Sequence, residues 1–510
     1  MKTIPEYGRN YDEILRELDT FAAEDPAYKD GKTWSLVYYK DEDYTHFLSQ
    51  AHEKYISANG LNPTAFKSLK HFENDIVAFT AELLHADKKA AGCVTSCGTE
   101  SCMLAVKTYR DWGKAEKGIR HPEMIVAETA HVAWFKGAEY FGVKVHTVPV
   151  DKDFKIDLKA VKRKINRNTV LLLGSAPEYP HGIIDDIVSL GQLGKKHNIP
   201  VHVDACVGGY LLPFMKMAGA DIPDFDFGAD GVTSMSADIH KYGFAAKGCS
   251  CILYKNLDYF KYQCFVHADW PGGLFASPAM LGTRPGGAYA AAWAAMQAHG
   301  RQGYIDLAKQ TMQNADRIRE GIRNIPELEI IGNPVCSLIA YRSKDPYNVN
   351  IFAVGDEMQK KGWHIDRLVH PDGLHAMVTA SHTDVIDTYL ADLQEAVHAV
   401  KGKPELALQG EAATYSTVGH IPLKKMVQKS VLDIFSQSYE VSKGMIDLSD
   451  SSQVTGGGTM DKIVNKLVMK DIKSPGFAKK LVTGAKVAGS VGLSLAATGI
   501  TNAVVKKIKK

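Results

Sequence analysis

The lysine with the most suggestive chemical surroundings is Lys241, in the run S-M-S-A-D-I-H-K-Y-G-F-A-A-K-G at 234–248. It follows His240, has Ser234 and Ser236 just upstream, and is followed six residues on by a second lysine, Lys247. A lysine among small residues and hydroxyls, between two strand-like runs, suits use as a nucleophilic amine. Once desolvated it can lose its proton near neutral pH and condense with a carbonyl to a Schiff base. A His-Lys pair alone is more often an ordinary surface loop, so the weighing rests on residues elsewhere. Asp204 ends the apolar run 200–204, 37 residues before the lysine, and Ala205, Cys206, Val207, Gly208 and Gly209 follow it. A carboxylate there can hold a proton on a cofactor's ring nitrogen. An opposite charge shifts a pKa by about 1–3 units, or roughly 1.4–4 kcal/mol. The plainer alternative is that Asp204 caps the next turn.

Other stretches supply what such a lysine needs. Ser96-Cys97-Gly98-Thr99-Glu100-Ser101 opens an amphipathic run, and its amides and hydroxyls suit a phosphate, although a plain helix start explains it nearly as well. His131 follows the strand-like 124–127, where an imidazole can stack on an aromatic ring; a lone histidine is more often structural. Tyr179 lies in A-P-E-Y-P-H-G at 176–182, after the apolar run 170–173, and Arg284 and Gly286 lie in the loop G-T-R-P-G-G at 282–287, suited to an oxyanion. Each signal is weak alone. Most of them share a place at the C-terminal ends of strands, where open α/β sheets bind ligands. Together they describe a site for pyridoxal 5'-phosphate.

A sheet must position these residues. Runs at 124–127, 144–150, 170–173, 200–204 and 231–234 read as strands, and 73–86, 100–112 and 186–197 as helices. The strands are continuous apolar runs, as expected where both faces are covered. Alternation of this kind predicts an α/β domain with a parallel or mixed sheet between helices. Beyond about residue 304 a helix at 305–323, strands at 328–332 and 335–340, a helix at 350–361, a strand at 374–378 and a helix at 384–400 form a smaller α+β module. The expected division is an N-terminal segment 1–60, a large domain 61–303, a small domain 304–405, a helical extension 406–450, and a linker and tail 451–510.

Composition narrows the function. With 510 residues, two or three domains are expected. A net charge of +2 argues against nucleic acid as a partner of the whole molecule. The eight cysteines form no C-x-x-C pair, so reduced thiols are expected rather than disulfides or a metal site. The N-terminal M-K-T-I-P-E-Y-G-R-N has no apolar core of a secretory signal, and the expected location is cytoplasmic.

The motifs H-V-D-A-C-V-G-G, S-A-D-I-H-K-Y-G-F-A-A-K-G, T-S-C-G-T-E-S and G-T-R-P-G-G resemble the fold-type I pyridoxal phosphate enzymes of the group II decarboxylase superfamily. Within it they are most similar to the sphingosine-1-phosphate lyases, over roughly residues 30–400. The H-K-Y-G-F-A-A-K-G context discriminates, since amino-acid decarboxylases of the superfamily differ there. The resemblance implies a fold-type I large domain and a smaller C-terminal one. It also implies a homodimer whose sites form at the interface, with the 282–287 loop lent to the neighbour. The implied reaction is retro-aldol cleavage of a phosphorylated long-chain base. Lys241 carries the cofactor, Asp204 pairs with its ring nitrogen and His131 stacks on it; Gly98, Thr99, Cys206, Ser236, His240, Arg284 and Gly286 complete its surroundings. Lys247, Tyr38 or Tyr39, and Tyr179 meet the substrate. Where the family pattern reads N-P-L-H-P-D, this chain has Asn59-Gly60-Leu61-Asn62-Pro63-Thr64. Asn62 thus replaces a histidine: an amide donates a hydrogen bond but adds no charge. The same site could instead remove the α-carboxylate of an amino acid, or the chain could be a non-catalytic scaffold.

The family pattern does not explain the tail. Residues 461–510 hold eleven lysines against two aspartates, a net of +9, around the uncharged stretch 487–505. Its strongly apolar residues are few, so a basic helix lying on an anionic membrane is expected rather than a spanning one. Packing on the protein body is the competing expectation.

Overall fold

The computed structural model describes residues 3–62, 64–420, 459–478 and 480, with scattered positions between 428 and 441. A seven-stranded sheet holds it together: β1 (Ala91–Thr95), β2 (Glu123–Ala127), β3 (Lys144–Val148), β4 (Thr169–Ser175), β5 (Val201–Asp204), β6 (Val232–Ala237) and β7 (Ser250–Tyr254), in the order β1-β7-β6-β5-β4-β2-β3. Strand β7 runs against both neighbours, β1 and β6; the remaining pairs are parallel. This is the mixed, mostly parallel sheet that the sequence predicts.

Alternation along the strands explains why both faces are covered. Ile252 and Tyr254 of β7 join Tyr109 and Trp134, from helices Gly98–Lys117 and Val132–Phe141. Cys251 and Leu253 point the other way, into a core with Phe72 and Ile76 of helix Lys67–Leu83 and Ala292 and Ala295 of helix Gly286–Arg323. A period of two thus feeds two cores from one strand, and each fully buried side chain of this size contributes about 1.5–3 kcal/mol. Helix ends are fixed locally. The Asp186 carboxylate accepts from the Ser189 amide at 3.0 Å to start helix Ile187–His197, and Asn198, at φ 52°, ends it in the left-handed region.

A hairpin, β8 (Phe265–His267) with β9 (Phe275–Ser277), leads to a second, antiparallel sheet of β10 (Leu328–Ile330), β11 (Leu338–Ser343), β12 (Asp366–Leu368) and β13 (Gly373–Met377), ordered β10-β11-β13-β12. Its core includes Phe352 and Leu393 from helices Ile351–Lys360 and Ile386–Val400. Trp34, from the N-terminal stretch, is buried there and stacks on Tyr389 at 4.0 Å. The helix expected at 305–323 begins at Gly286 instead and bends at Gly300, whose φ is 54°. Its alanine-rich first half packs on helices Glu42–Glu53 and Lys67–Leu83. No helix among the described residues is long and apolar enough to cross a membrane. The 487–505 stretch lies outside the described residues.

Candidate active site

The C-terminal ends of the parallel strands open into one cavity of about 200 Å³. Gly98 and Thr99 reach it after β1, His131 after β2, and Tyr179 after β4. Asp204 and Cys206 come from the end of β5, and Asp238, His240 and Lys241 from the turn after β6. Residues spread over more than 140 positions of sequence converge because each strand ends at the same edge.

Lys241 is not the neutral amine that desolvation alone would make. Its Nζ lies 3.0 Å from Oδ2 of Asp238, which is itself buried. Burial opposes the ammonium, but the Asp238 carboxylate outweighs it, and the lysine's pKa is raised. The expectation of a lysine that loses its proton near neutral pH is therefore corrected: an ion pair holds the charge on Lys241, and the proton must leave before the amine can react. Asp238 also accepts from Ser250 Oγ at 2.5 Å through Oδ1, which fixes its orientation.

The floor of the cavity is built around Asp204. Trp134 Nε1 donates to its Oδ2 at 2.8 Å, and the Cys206 amide and Ser236 Oγ donate to Oδ1 at 3.1 and 3.3 Å. Burial by itself would favour the neutral acid. The Trp134 hydrogen bond, followed by His131 and other neighbours, reverses this and lowers the pKa. A buried, ionised carboxylate aimed at a cavity calls for a cationic partner. Ser236 stands behind Asp204, between it and His202 Nε2 at 3.2 Å, rather than facing the cavity. Burial lowers His202 to about 3, so this support is neutral.

Opposite the floor, helix Gly98–Lys117 begins at Cys97 with no side-chain cap, which leaves its first amides available to an anion. A Cβ on Gly98 would lie 2.6 Å from Asp238 Oδ2 and 2.7 Å from Cys206 Sγ, so only glycine fits. Uncapped amides, a lysine, an ionised aspartate and the His131 imidazole, all on one cavity, fit pyridoxal phosphate. His131 also accepts from the Ala133 amide at 3.2 Å, so the same residue starts a helix.

The residues expected to face the substrate separate. Lys247 lies 5.0 Å above the Tyr38 ring, which packs edge-on to Tyr242 at 5.0 Å. Burial, then Tyr179 and Asp238, raise the Tyr38 pKa, which places its phenol toward the site. Tyr39 points elsewhere, donating to Glu42 at 3.1 Å near the surface, so Tyr38 is the tyrosine of the pair that meets the site. Burial and then the Lys241 charge pull Lys247 down to about 8. Asn62 is exposed and accepts from the Thr64 amide and hydroxyl at 2.9 and 2.7 Å. Arg284 turns inward to Tyr289 at 3.0 Å, Glu73 at 3.5 Å and the Gly60 carbonyl, and Gly286 starts a helix against Ala58. None of these last three lines the cavity within this chain, and Tyr38, Tyr39 and Lys247 line a neighbouring groove instead. Within this chain the Arg284 guanidinium engages the Gly60 carbonyl, Tyr289 and Glu73, while its Nε has no partner among the described residues.

Comparison with known proteins agrees with this geometry. Residues 32–344 match the pyridoxal-dependent decarboxylase conserved domain. The chain is 42% identical over 435 residues to sphingosine-1-phosphate lyase of Arabidopsis thaliana, spanning 84% of this chain and 79% of that protein. It is 39% identical over 465 residues to sphingosine-1-phosphate lyase 1 of Rattus norvegicus, spanning 90% and 79%. This chain belongs to the sphingosine-1-phosphate lyase branch of the pyridoxal-dependent decarboxylase family. It is a pyridoxal phosphate-dependent lyase. A solved sphingosine-1-phosphate lyase from Burkholderia pseudomallei superposes with a TM-score of 0.77 at 34% identity, over 86% of this chain and 97% of that one. Glutamate decarboxylase of Lactobacillus brevis superposes at 0.70 with 20% identity, a likeness of fold alone, covering 78% of this chain and 95% of that one.

Three groups in the lyase site escaped the sequence reading. Asp238 was visible as the acid three positions before Lys241, and Trp134 as an aromatic three positions after His131, one helical turn away. His202 sits two positions before Asp204, where strand alternation puts it on the same side.

Proposed function

We propose that this lyase cleaves a sphingoid base 1-phosphate between C2 and C3, giving phosphoethanolamine and a long-chain aldehyde. The observation that carries the reading is the pairing of Lys247 with Tyr38: a cation and a phenol on a neighbouring groove, joined to the cavity wall through the His240 carbonyl and suited to a phosphate. Lys247 Nζ is held by the Leu36 and His240 carbonyls at 2.9 and 3.4 Å, so its position is set before substrate arrives. Asn62 and Arg284 lie outside this pairing.

Lys241, Asp204, His131 and the Gly98–Thr99 amides would hold the cofactor. When bound, it supplies an electron-withdrawing ring for the pair released by the broken bond. The chain's own residues do the rest. Asp204, kept ionised, holds a proton on the ring nitrogen. His131, anchored by its bond to the Ala133 amide, would cover one side of the ring. Lys241 lies beside Asp238, which would stabilise it as an ammonium and so let it carry a proton. Tyr179 brings a hydroxyl to the cavity wall.

In this reading the enzyme is a homodimer. Leu36, Phe47, Ile56, Met280 and Leu281 expose large apolar side chains on one chain, which a second copy would cover. Helix Thr459–Lys473 packs on the body, with Val468 and Ile472 buried and Asp471 bonded to His420, so the peripheral contact with anionic lipid would fall to residues 481–510, at +5; flotation of the full chain with anionic liposomes, against a version ending at Lys480, tests that.

Incubation with sphinganine 1-phosphate, and separately with a panel of amino acids, tests the reaction. Aldehyde from the first supports it. Carbon dioxide from the second, with no aldehyde, would make the enzyme a decarboxylase instead.

A further inference from the structure

Resting on the cleavage proposed above, we infer that Asp366 drives removal of the substrate hydroxyl proton by acting through Tyr179. Asp366 belongs to β12 of the second sheet and does not line the cavity, yet the Tyr179 hydroxyl donates to its Oδ2 at 2.7 Å. Ser35 Oγ donates to the other oxygen at 3.2 Å, which fixes the carboxylate plane. His375 packs on the Tyr179 ring at 4.5 Å, and its Nδ1–H donates to the Pro180 carbonyl at 3.0 Å. The phenol is thus gripped from behind by a different sheet from the one that builds the cavity floor.

A phenol whose proton is committed to a carboxylate presents lone pairs to the cavity. It can accept a hydrogen bond from a substrate hydroxyl and, as that proton arrives, pass its own to Asp366. Burial and then the Asp366 carboxylate push the Tyr179 pKa upward, so a free phenolate does not form and the two transfers go together. In the step, the O–H bond at C3 breaks and its proton joins the Tyr179 oxygen. The Tyr179 proton moves to Oδ2 of Asp366. The C3–O bond becomes the aldehyde carbonyl, the C2–C3 bond breaks, and its electron pair stays with C2. Asp366 ends the step neutral and loses its proton before the next turnover.

The other carboxylates near the cavity are already engaged. Asp204 faces the place of the cofactor ring, and Asp238 is bound by Lys241 and Ser250. Glu178 accepts from the His181 and Ile183 amides, at 2.9 and 3.1 Å. Asp366 is the carboxylate to which the Tyr179 phenol donates. Asp366 is a positioning residue in this scheme, since it touches substrate only through Tyr179.

The substitution Asp366→Asn keeps an acceptor oxygen for Tyr179 and removes the base. Holoenzyme carrying it should show kcat lowered about 100-fold, within the range for loss of a general base, with KM little changed and an unaltered melting temperature. In a Tyr179→Phe background the same change should cost nothing further. A purely structural bond would leave kcat of Asp366→Asn within twofold of wild type, and an equal loss in both backgrounds would show that Asp366 acts elsewhere; either result overturns the inference. If Asp366→Asn does not fold, a proton inventory on wild-type single turnovers decides. A curved dependence on deuterium fraction indicates two protons in flight and supports the relay, and a linear one overturns it. Wild-type aldehyde release from sphinganine 1-phosphate is measured first: its absence sinks the cleavage and the relay together, whereas aldehyde with an unaffected Asp366→Asn sinks the relay alone.

Discussion

The floor and the mouth of the cavity are held in different ways. On the floor, Asp204 receives four hydrogen bonds, from Trp134, the Cys206 amide, Ser236 and the Cys102 thiol, and each donor sits on or beside a strand of the seven-stranded sheet or a helix packed on it. At the mouth and the groove beside it, Tyr38 comes from an N-terminal stretch without regular structure, Lys247 from the turn before β7, and Tyr179 is tied to β12 of the second sheet. The floor carries the chemistry common to the cofactor, and it is set by the sheet. In the proposed reading the mouth chooses the substrate, and segments distant in sequence bring it together. Specificity can then change by loop replacement while the floor stays constant.

Removing the floor's charge should have the largest effect. Asp204→Asn should keep the cofactor bound but lower kcat by about 10²–10³-fold, the scale of losing one preorganised electrostatic contact; near-normal turnover would show that the floor is not the electron sink's support. At the mouth, Lys247→Ala should cost about 1.5–3 kcal/mol, as expected for a hydrogen bond to a charged group, and the loss should appear in KM for the phosphorylated substrate. Lys247 is charged below about pH 8 and neutral above it. Wild-type kcat/KM should therefore be held up below that pH and fall above it, and the fall should be missing in Lys247→Ala.

Asp238 joins the two regions, and Asp238→Asn separates its effects. With the carboxylate gone, the remaining influence on Lys241 is burial, which lowers its pKa. The pH at which apo-protein takes up cofactor should then move downward, measured by the appearance of visible absorbance. An unmoved profile would mean that the ion pair does not control the amine. Tyr39→Phe should have the smallest effect, within about twofold, since its hydroxyl bonds Glu42 near the surface; a loss as large as that of Tyr38→Phe would reverse the assignment of the two tyrosines.

The same contrast governs how much was legible in the sequence. Asp204, His131, Gly98 and Lys241 could be found because each follows an apolar run, and a strand end is a place that a one-dimensional pattern marks. The sheet was legible for the same reason. The strand β1 went unnoticed because A-G-C-V-T is short and half small residues, and β12 because D-R-L carries two charges. A glycine-rich loop with one arginine reads alike whether it faces a ligand or, as within this chain, Gly60 and Glu73. Helix Tyr11–Ala22 has no buried residue, so burial gave its apolar positions no role to reveal. The protonation of Lys241 depended on Asp238, only three positions away, but a carboxylate in a loop has no fixed direction until the fold supplies one.

Borohydride reduction of the purified holoenzyme, followed by peptide mapping, tests the central claim that this cavity carries the cofactor on Lys241. The account predicts that the visible absorbance is lost and that reduced cofactor is recovered on Lys241. Recovery on Lys247, or on no lysine, would contradict it.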